Sequence, residues 1–394
     1  MKNYVKIILQ PKKDRSLRLF HPWVFSGAIA KVDGDPKEGD IVEVYSHENE
    51  YMATGHFHNG SIKVRLFSFT KTDCSEEFWY SKFKKAYDNR ERLGIIGNTK
   101  TNIYRLIHAE GDGMPGLIID IYGSVAVIQT HTVGMHEQKE HFVSALKKIY
   151  GTTLEAIYDK SAETMSKQNS LIMENSFLYG SQSESEVFEN DIKFYVNWVE
   201  GQKTGFFIDQ RENRQLLANY SKGKRVLNTF SYSGGFSMYA LAAGATEVHS
   251  VDSSKKAGEL SLRNAELNGV TNRHFFHGMD AFDFLKSSKE LYDIVILDPP
   301  AFAKHLSSVD KAMIGYRNLN TEGFNKVLPG GLLFTFSCSQ VIDKTLFRKV
   351  VFQAAAQSKR NVRILYQLTQ GPDHAISIYH PEGEYLKGLV LQVD

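Results

Sequence analysis

Residues 225–252 read "RVLNTFSYSGGFSMYALAAGATEVHSVD". An apolar run of strand length, "RVLNTF", meets a turn holding two glycines. A helix-length segment, "FSMYALAAG", follows, and then a second strand, "EVHSVD". The same rhythm continues through "KKAGELSLRNAELNG", "RHFFHG", "AFDFLKSS", "YDIVILD" and "GGLLFTFS". Short apolar strands alternating with helices predict an α/β region built on a parallel, doubly wound sheet. "HAISIYHP" and "YLKGLVLQVD" are expected to close it as a hairpin around "PEGE".

In open α/β sheets, ligands bind beyond the carboxyl ends of the strands. The first strand ends in "NTFSYSGGFS", residues 228–237. Gly234 and Gly235 let the backbone approach a ligand closely before the helix begins, although an ordinary strand–helix turn reads the same way. Asn228, Thr229, Phe230 and Ser231 are the candidate contacts there. The second strand ends at Asp252, with Ser253 behind it. Such an acid accepts from both hydroxyls of a ribose, or caps a helix starting at Ser253 or Ser254. The third ends in "GMDAFDFL", where Asp280 and Ala281 are placed to meet an adenine amino group, or Asp280 is an N-cap. These features fall together at successive strand ends, which indicates an adenosine-containing cofactor. The loop carries Thr229, Phe230, Ser231 and Tyr232, whereas a pyrophosphate wants bare backbone N–H groups at a helix start. A smaller, phosphate-free ligand fits better. The fourth strand ends in "ILDPPAF", residues 296–302. Pro299-Pro300 fixes the backbone and aims Asp298 into the cleft.

Ahead of this region, residues 4–70 alternate β-like runs, "VKIIL", "DIVEVYS", "YMATGHF" and "IKVRLFSF", with the turn-rich "DGDPKEGD" between them. That pattern predicts a small β-barrel. "SEEFWYSKFKKAYDNRERLG" reads as a helix capped by Ser75. "GLIIDIYG" and "SVAVIQTH" form a hairpin around Gly123-Ser124, "MHEQKEHFVSALKKIYG" an amphipathic helix, and "FYVNW" a strand, giving a middle α+β domain. The expected domains are residues 1–72, 73–198 and 199–394.

At 394 residues the chain is too long for one ordinary core. Its 42% hydrophobic and 23% charged residues are those of a soluble globular protein. A net charge of +2 confines any nucleic-acid surface to a local patch. Two distant cysteines make no disulfide framework and point to a reducing cytoplasm. The N-terminal stretch lacks the apolar core of a signal peptide, and no apolar run is long enough for a membrane span. His56 and His58 share one face of a strand but lack a third ligand for a metal.

"NTFSYSGG", "SVDSS", "MDAFDFL" and "DPPAF" resemble the motifs of class I S-adenosylmethionine-dependent methyltransferases. "HPWVFSGAI", "AEGDGMPGLIIDIYG", "GQKTGFFIDQREN", "DPPAFAK" and "SCSQ" together resemble the 23S ribosomal RNA cytosine-carbon-5 methyltransferases, from about residue 4 to the end. The resemblance implies an N-terminal PUA-type RNA-binding barrel, a middle domain and a C-terminal Rossmann-like methyltransferase domain. It also implies that "GQKTGFFIDQREN" closes over the methionine end of S-adenosylmethionine, with Lys203, Asp209, Gln210 and Arg211 as candidates. Without it, Arg211-Glu212-Asn213-Arg214 reads as an exposed helix start. The expected partner is ribosomal RNA, 23S or its large-subunit precursor. A membrane is not expected, and a homodimer is left open.

Carbon 5 of cytosine is a poor nucleophile, and a thiolate added to carbon 6 activates it. Cys338, in "FTFSCSQ", ends the strand after the one bearing Asp298. It is the candidate nucleophile, although free cysteines are among the most buried residues. Asp298 would hold or protonate the pyrimidine edge. Many enzymes of this chemistry carry a second cysteine just after the Asp-Pro motif, where this chain has Ala301 and Phe302. That leaves Cys338 alone. For RNA, "PKKDRSLR" offers Lys12, Lys13, Arg15 and Arg18, and Lys304 follows the Asp298 loop. Two other readings stand beside this one. One is methylation of an exocyclic amine such as guanine N2, with Cys338 a bystander. The other is a non-catalytic RNA-binding protein with a vestigial cofactor fold.

Overall fold

The computed structural model describes residues 4–165 and 173–394. They form two compact units. The first holds the chain up to Val187 together with Val196–Ile208 and Pro372–Gly383. The second holds Phe188–Tyr195, Asp209–Gly371 and Glu384–Asp394.

The first unit begins with the N-terminal half-barrel. Its six strands lie in the order Trp23–Phe25, Ile62–Ser68, Tyr51–Phe57, Ile41–Tyr45, Val5–Leu9 and Ile29–Asp33. Period-2 alternation sends Ile7, Leu9, Val42, Val44, Val64 and Leu66 into one core. Ser75 caps the helix Glu76–Arg92 by accepting from the Phe78 amide. That helix buries Trp79 and Phe83 in a second core, shared with a five-stranded sheet whose inner strands are Leu117–Tyr122, Val125–Thr130 and Ala156–Asp159. The amphipathic segment 135–151 is not one helix. It breaks at Gln138 into Val133–Glu137, capped by Thr132, and Lys139–Tyr150.

The second unit carries the predicted α/β sheet. Its strands are β1 (Arg225–Thr229), β2 (Glu247–Val251), β3 (His274–His277), β4 (Tyr292–Leu297), β5 (Val327–Ser337), β6 (Val362–Leu368) and β7 (Lys387–Val393), in the spatial order 3-2-1-4-5-7-6. β1 to β5 are parallel. Of these, the inner strands β4 and β5 carry the longest apolar runs, "IVIL" and "LLFTF", as burial on both faces requires. The register sets Thr229 beside Val251 and Leu297, Val251 beside His277, and Leu297 beside Thr335. The carboxyl ends of all five strands therefore lie along one edge.

The closing hairpin differs from the sequence expectation. β7 pairs antiparallel with both β5 and β6, so the partner of residues 387–393 is Val362–Leu368. Residues 374–381 form no strand. Asp373, just ahead of them, is buried, accepts from the Arg105 amide and gives its carbonyl to Arg90, so polar anchoring replaces a ladder. β6 escapes a periodicity reading because it is a largely exposed edge strand with apolar side chains on its open face. Among the described residues no helix is long and apolar enough to cross a membrane.

One buried ion pair ties this unit together. Arg214 Nε and Nη2 donate to the two oxygens of Glu189 at 2.9 and 3.0 Å, and the Tyr239 hydroxyl donates to Glu189 at 2.9 Å. Both charged side chains are nearly inaccessible. Glu189→Ala should therefore lower unfolding stability by about 3–5 kcal/mol, because it strips a buried guanidinium of its carboxylate. Urea titration measures this. A loss below about 1 kcal/mol would show the pair to be solvent-screened.

Candidate active site

The β1 loop is bent by unusual backbone. Phe230 (φ 55°) and Tyr232 (φ 45°) take left-handed conformations, as does Gly234 (φ 78°). Non-glycine residues held there cost about 1–3 kcal/mol each and persist only where their surroundings impose them. Hydrogen bonds do so here. Asp252 Oδ2 accepts from the Tyr232 amide at 2.9 Å, and Ser231 N donates to the Val251 carbonyl at 3.1 Å. A side chain at position 234 would press its Cβ to 2.5 Å from Ser261 Oγ, so glycine is required for packing as well as for φ.

The strand-end acids now separate. Ser254, not Asp252, caps the helix Lys255–Leu267. Asp252 instead receives two backbone amides, those of Tyr232 and Ser254, one on each oxygen. Its carboxylate is held in place with lone pairs to spare. Ser253 is exposed beside it. Asp280 does cap the helix Ala281–Ser287, accepting from Phe282 and Asp283 through Oδ1 alone. Ala281 is buried at the first position of that helix. Asn228 and Thr229 point inward. Asn228 donates to Ser237 Oγ at 2.8 Å and Thr229 to the Ile296 carbonyl at 2.8 Å, so both brace the loop from below. Ser231 is different: its hydroxyl is buried with no partner among the described residues.

Asp209, Gln210, Asp298 and Cys338 come together. Gln210 Nε2 donates to Asp298 Oδ2 at 3.1 Å, and Gln210 Oε1 accepts from Asn213 at 2.6 Å. Asp209 Oδ2 accepts from the Tyr385 hydroxyl at 2.7 Å, while its Oδ1 is buried with no partner among the described residues. The Cys338 thiol donates to the Pro299 carbonyl, with sulfur and oxygen 3.9 Å apart. Arg211, Asn213 and Arg214 are buried, which corrects the reading of that segment as an exposed helix start. Lys203 belongs to the first unit, at φ 54°, where burial first, and the Lys203 charge second, depress His131.

Burial pushes Asp298 up to about 7, and the facing Asp209 adds to the shift; Gln210 and Arg214 oppose it. Burial also pushes the Cys338 thiol up to about 11, aided by Asp298 and Asp209 and countered by Lys387. The resting site therefore favours a neutral thiol and leaves Asp298 poised near neutrality, as general acid–base work requires.

Three residues that the sequence reading passed over complete the site. Tyr316 links Ser337 and Ser339 by hydrogen bonds of 2.9 Å, framing Cys338, and Phe302 packs on its ring. Tyr385 holds Asp209. Lys387 reaches the Ser339 carbonyl. The only sequence signal was one lysine opening an apolar strand. On the half-barrel, Lys12, Lys13 and Arg15 are exposed, whereas Arg18 is bound by Asp14 (2.6 Å) and Glu50 (2.7 Å). Lys304 is exposed.

Residues 7–69 match the PUA-like domain family, and residues 137–377 match the family of S-adenosylmethionine-dependent methyltransferases. The chain is similar over its length to Ribosomal RNA large subunit methyltransferase I of Aeromonas salmonicida, 38% identical and covering 98% of this chain and 99% of that one. Its counterpart in Aeromonas hydrophila is 39% identical, with 98% of each covered. Among solved structures, the chain is similar to SMU.776 complexed with SAH, with a TM-score of 0.85, 25% identity, and 98% of this chain and 100% of that one covered.

The raised Asp298 carboxyl has a thermodynamic consequence. Its folded value lies above the ordinary value of 3.8, so the folded state keeps a proton that the unfolded state has released. Stability should fall as pH rises from about 4 through about 7, by up to about 4 kcal/mol. In Asp298→Asn this contribution should vanish. Urea midpoints of both proteins across that window provide the check, and parallel pH profiles would mean that Asp298 ionises normally.

Proposed function

We propose that this chain, which belongs to the ribosomal RNA large subunit methyltransferase I family, methylates carbon 5 of a cytosine in large-subunit (23S) ribosomal RNA. Its cofactor is S-adenosylmethionine, which supplies the methyl group as an electrophile. The residues present suit it. Asp252 is a fixed carboxylate at the ribose position, and Ser231 Oγ and Asp209 Oδ1 are buried acceptors awaiting a partner. Gly234 lets the loop take its left-handed turn and pack against Ser261. Phe230, Asp280 and Ala281 would border the adenosine, and Asp209, Gln210 and Arg211 the methionine end, with Lys203 assigned there by resemblance alone.

The observation that carries the carbon-5 reading is the thiol of Cys338, 3.9 Å from the Pro299 carbonyl in the turn that bears Asp298. An acid and a nucleophile therefore serve one cleft. The Cys338 thiolate adds to carbon 6, forming the C–S bond and shifting the C5–C6 π pair onto carbon 5. Asp298 holds the polar edge of the base, giving or sharing a proton as that charge develops. After carbon 5 is methylated, its proton leaves to a base, the C–S bond breaks, and the thiolate is released. Only one cysteine takes part, because Phe302, near the place of a second, packs on Tyr316. The assigned domain roles are RNA binding for residues 1–72, a middle domain for 73–198 and catalysis for 199–394. Lys12, Lys13 and Arg15 on the half-barrel, and Lys304 beside the Asp298 loop, would contact phosphates. Arg18 would contribute only on leaving Asp14 and Glu50.

Asp252→Ala should weaken S-adenosylmethionine binding by about 1–3 kcal/mol, since a charged acceptor is lost. Calorimetry measures this, and NAD should show no binding. Unchanged affinity would move the ribose elsewhere.

Cys338→Ala should abolish methyl transfer while keeping cofactor and RNA affinity. RNA carrying 5-fluorocytosine at the target should trap wild type as a slow band on a denaturing gel, because fluorine cannot leave as a proton does. Cys338→Ala should give no band. An active alanine variant, or a wild type that methylates but never traps, would leave exocyclic-amine methylation as the better reading.

A further inference from the structure

Lys387 opens β7, and the residues after it, "GLVLQV", are apolar but for one glutamine. Its backbone lies opposite Ser337 in the β5–β7 ladder. Its side chain is buried, with the residue 6% exposed. The ammonium donates to the carbonyls of Ser339 at 2.6 Å and Tyr385 at 2.8 Å. Lys387 thus grips the chain on both sides of Cys338, by its backbone at 337 and by its side chain at 339. Among the described residues it forms no ion pair with a carboxylate. Two carbonyls bind an ammonium without neutralising it, so a buried positive charge is left beside the thiol.

We propose that Lys387 is a positioning residue for Cys338: it fixes the turn that presents the thiol and supplies the charge that stabilises the thiolate. The assignment rests on the reading of Cys338 as the nucleophile. The charges facing each group agree with it. Around Cys338, Asp298 and Asp209 oppose ionisation, and Lys387 is the cation that favours it. Around Lys387, burial lowers the ammonium to about 8; Cys338, Asp343 and Glu384 favour its charge, and Lys344 opposes it. Below about 8 the ammonium is therefore present. Ionisation of Cys338 releases its proton to water, and the thiolate then faces Lys387. Elimination of the thiolate from carbon 6 is assisted in the same way, because negative charge returns to sulfur beside a fixed cation. Removal of the Lys387 charge raises the thiol further and reduces the nucleophilic fraction at neutral pH.

The test is the rate of iodoacetamide alkylation at Cys338 in the full chain across about pH 6.5 to 9.5, read by peptide mass so that the other cysteine, Cys74, is scored separately. Lys387→Gln keeps an N–H donor for the carbonyls and removes the charge. Its alkylation should be about tenfold slower than wild type at neutral pH, where the ammonium is charged, and the difference should close above about pH 8, where wild type loses that charge. Methyl transfer should fall in parallel and recover partly as pH is raised. Lys387→Arg keeps the charge and should leave the neutral-pH rate near that of wild type. An unchanged neutral-pH rate in Lys387→Gln overturns the proposal, because donors alone would then suffice, and so does a slowing that is the same at every pH. If Lys387→Gln loses cofactor binding, Lys387→Arg decides: an about tenfold slower rate at neutral pH despite the retained cation overturns it equally. Failure of the nucleophile reading is separate, seen as methyl transfer by Cys338→Ala, whereas the alkylation rate reads the Lys387–Cys338 coupling with no methyl transfer at all.

Discussion

The parallel register of β1 with its two neighbours is the constraint on which this site depends. Thr229 sits beside Val251 on one side and Leu297 on the other, and Leu297 sits beside Thr335. Each strand then delivers the next residues of its chain to the same edge: the Phe230–Gly234 loop, Asp252, Asp298 and, three residues after Thr335, Cys338. The side-chain period of a strand is two, so a slip of one residue in any ladder would turn these groups to the opposite face. The buried valines and leucines of the sheet are therefore what aim the polar residues, and the close packing of Leu227, Val295, Leu297 and Leu333 in one core opposes any such slip.

A second theme is the cost of burying chemistry. Asp209, Asp298 and Cys338 share a desolvated region in which every negative charge disfavours the next. Two neutral donors, Gln210 and Tyr385, and one cation, Lys387, are the means by which the chain moderates that repulsion. The outcome is an acid near neutrality beside a thiol that ionises only with help. Such pairs belong to functional sites more often than to structural cores, because a core would simply replace them with apolar residues. Glu189 and Arg214 make the contrasting case: a buried pair fully matched by bidentate hydrogen bonds, with a structural role in anchoring the helix Arg211–Ser221.

Much of the site was legible in advance because strand ends are local in sequence. Asp252, Asp298 and Cys338 directly follow a strand and Asp280 lies three residues beyond one, so their placement needs only the strand assignment and the rule that ligands sit beyond carboxyl ends. The choice between cap and ligand was not legible, since Asp and Ser at a helix start serve either role. In the fold Ser254 caps its helix while Asp252 receives two amides. The strand Val362–Leu368 was hidden for a related reason: an edge strand with exposed apolar side chains carries no alternation, so the run 374–381 looked the better partner for β7.

Local sequence carries the alternation of strand and helix, the succession of residues at strand ends, the glycine loop and the single cysteine after the fifth strand. Each of these is written in a few consecutive residues and obeys local steric and periodic rules. Tertiary structure alone decided what stands beside them. Tyr316, Tyr385 and Lys387 lie 22, 47 and 49 residues from Cys338 along the chain, yet Lys387 comes to flank it because β7 runs antiparallel to β5 and sets Lys387 opposite Ser337. Burial, and with it the upward shift of both the acid and the thiol, also depends on how distant segments pack. No local pattern encodes desolvation, which is a property of everything that surrounds a group.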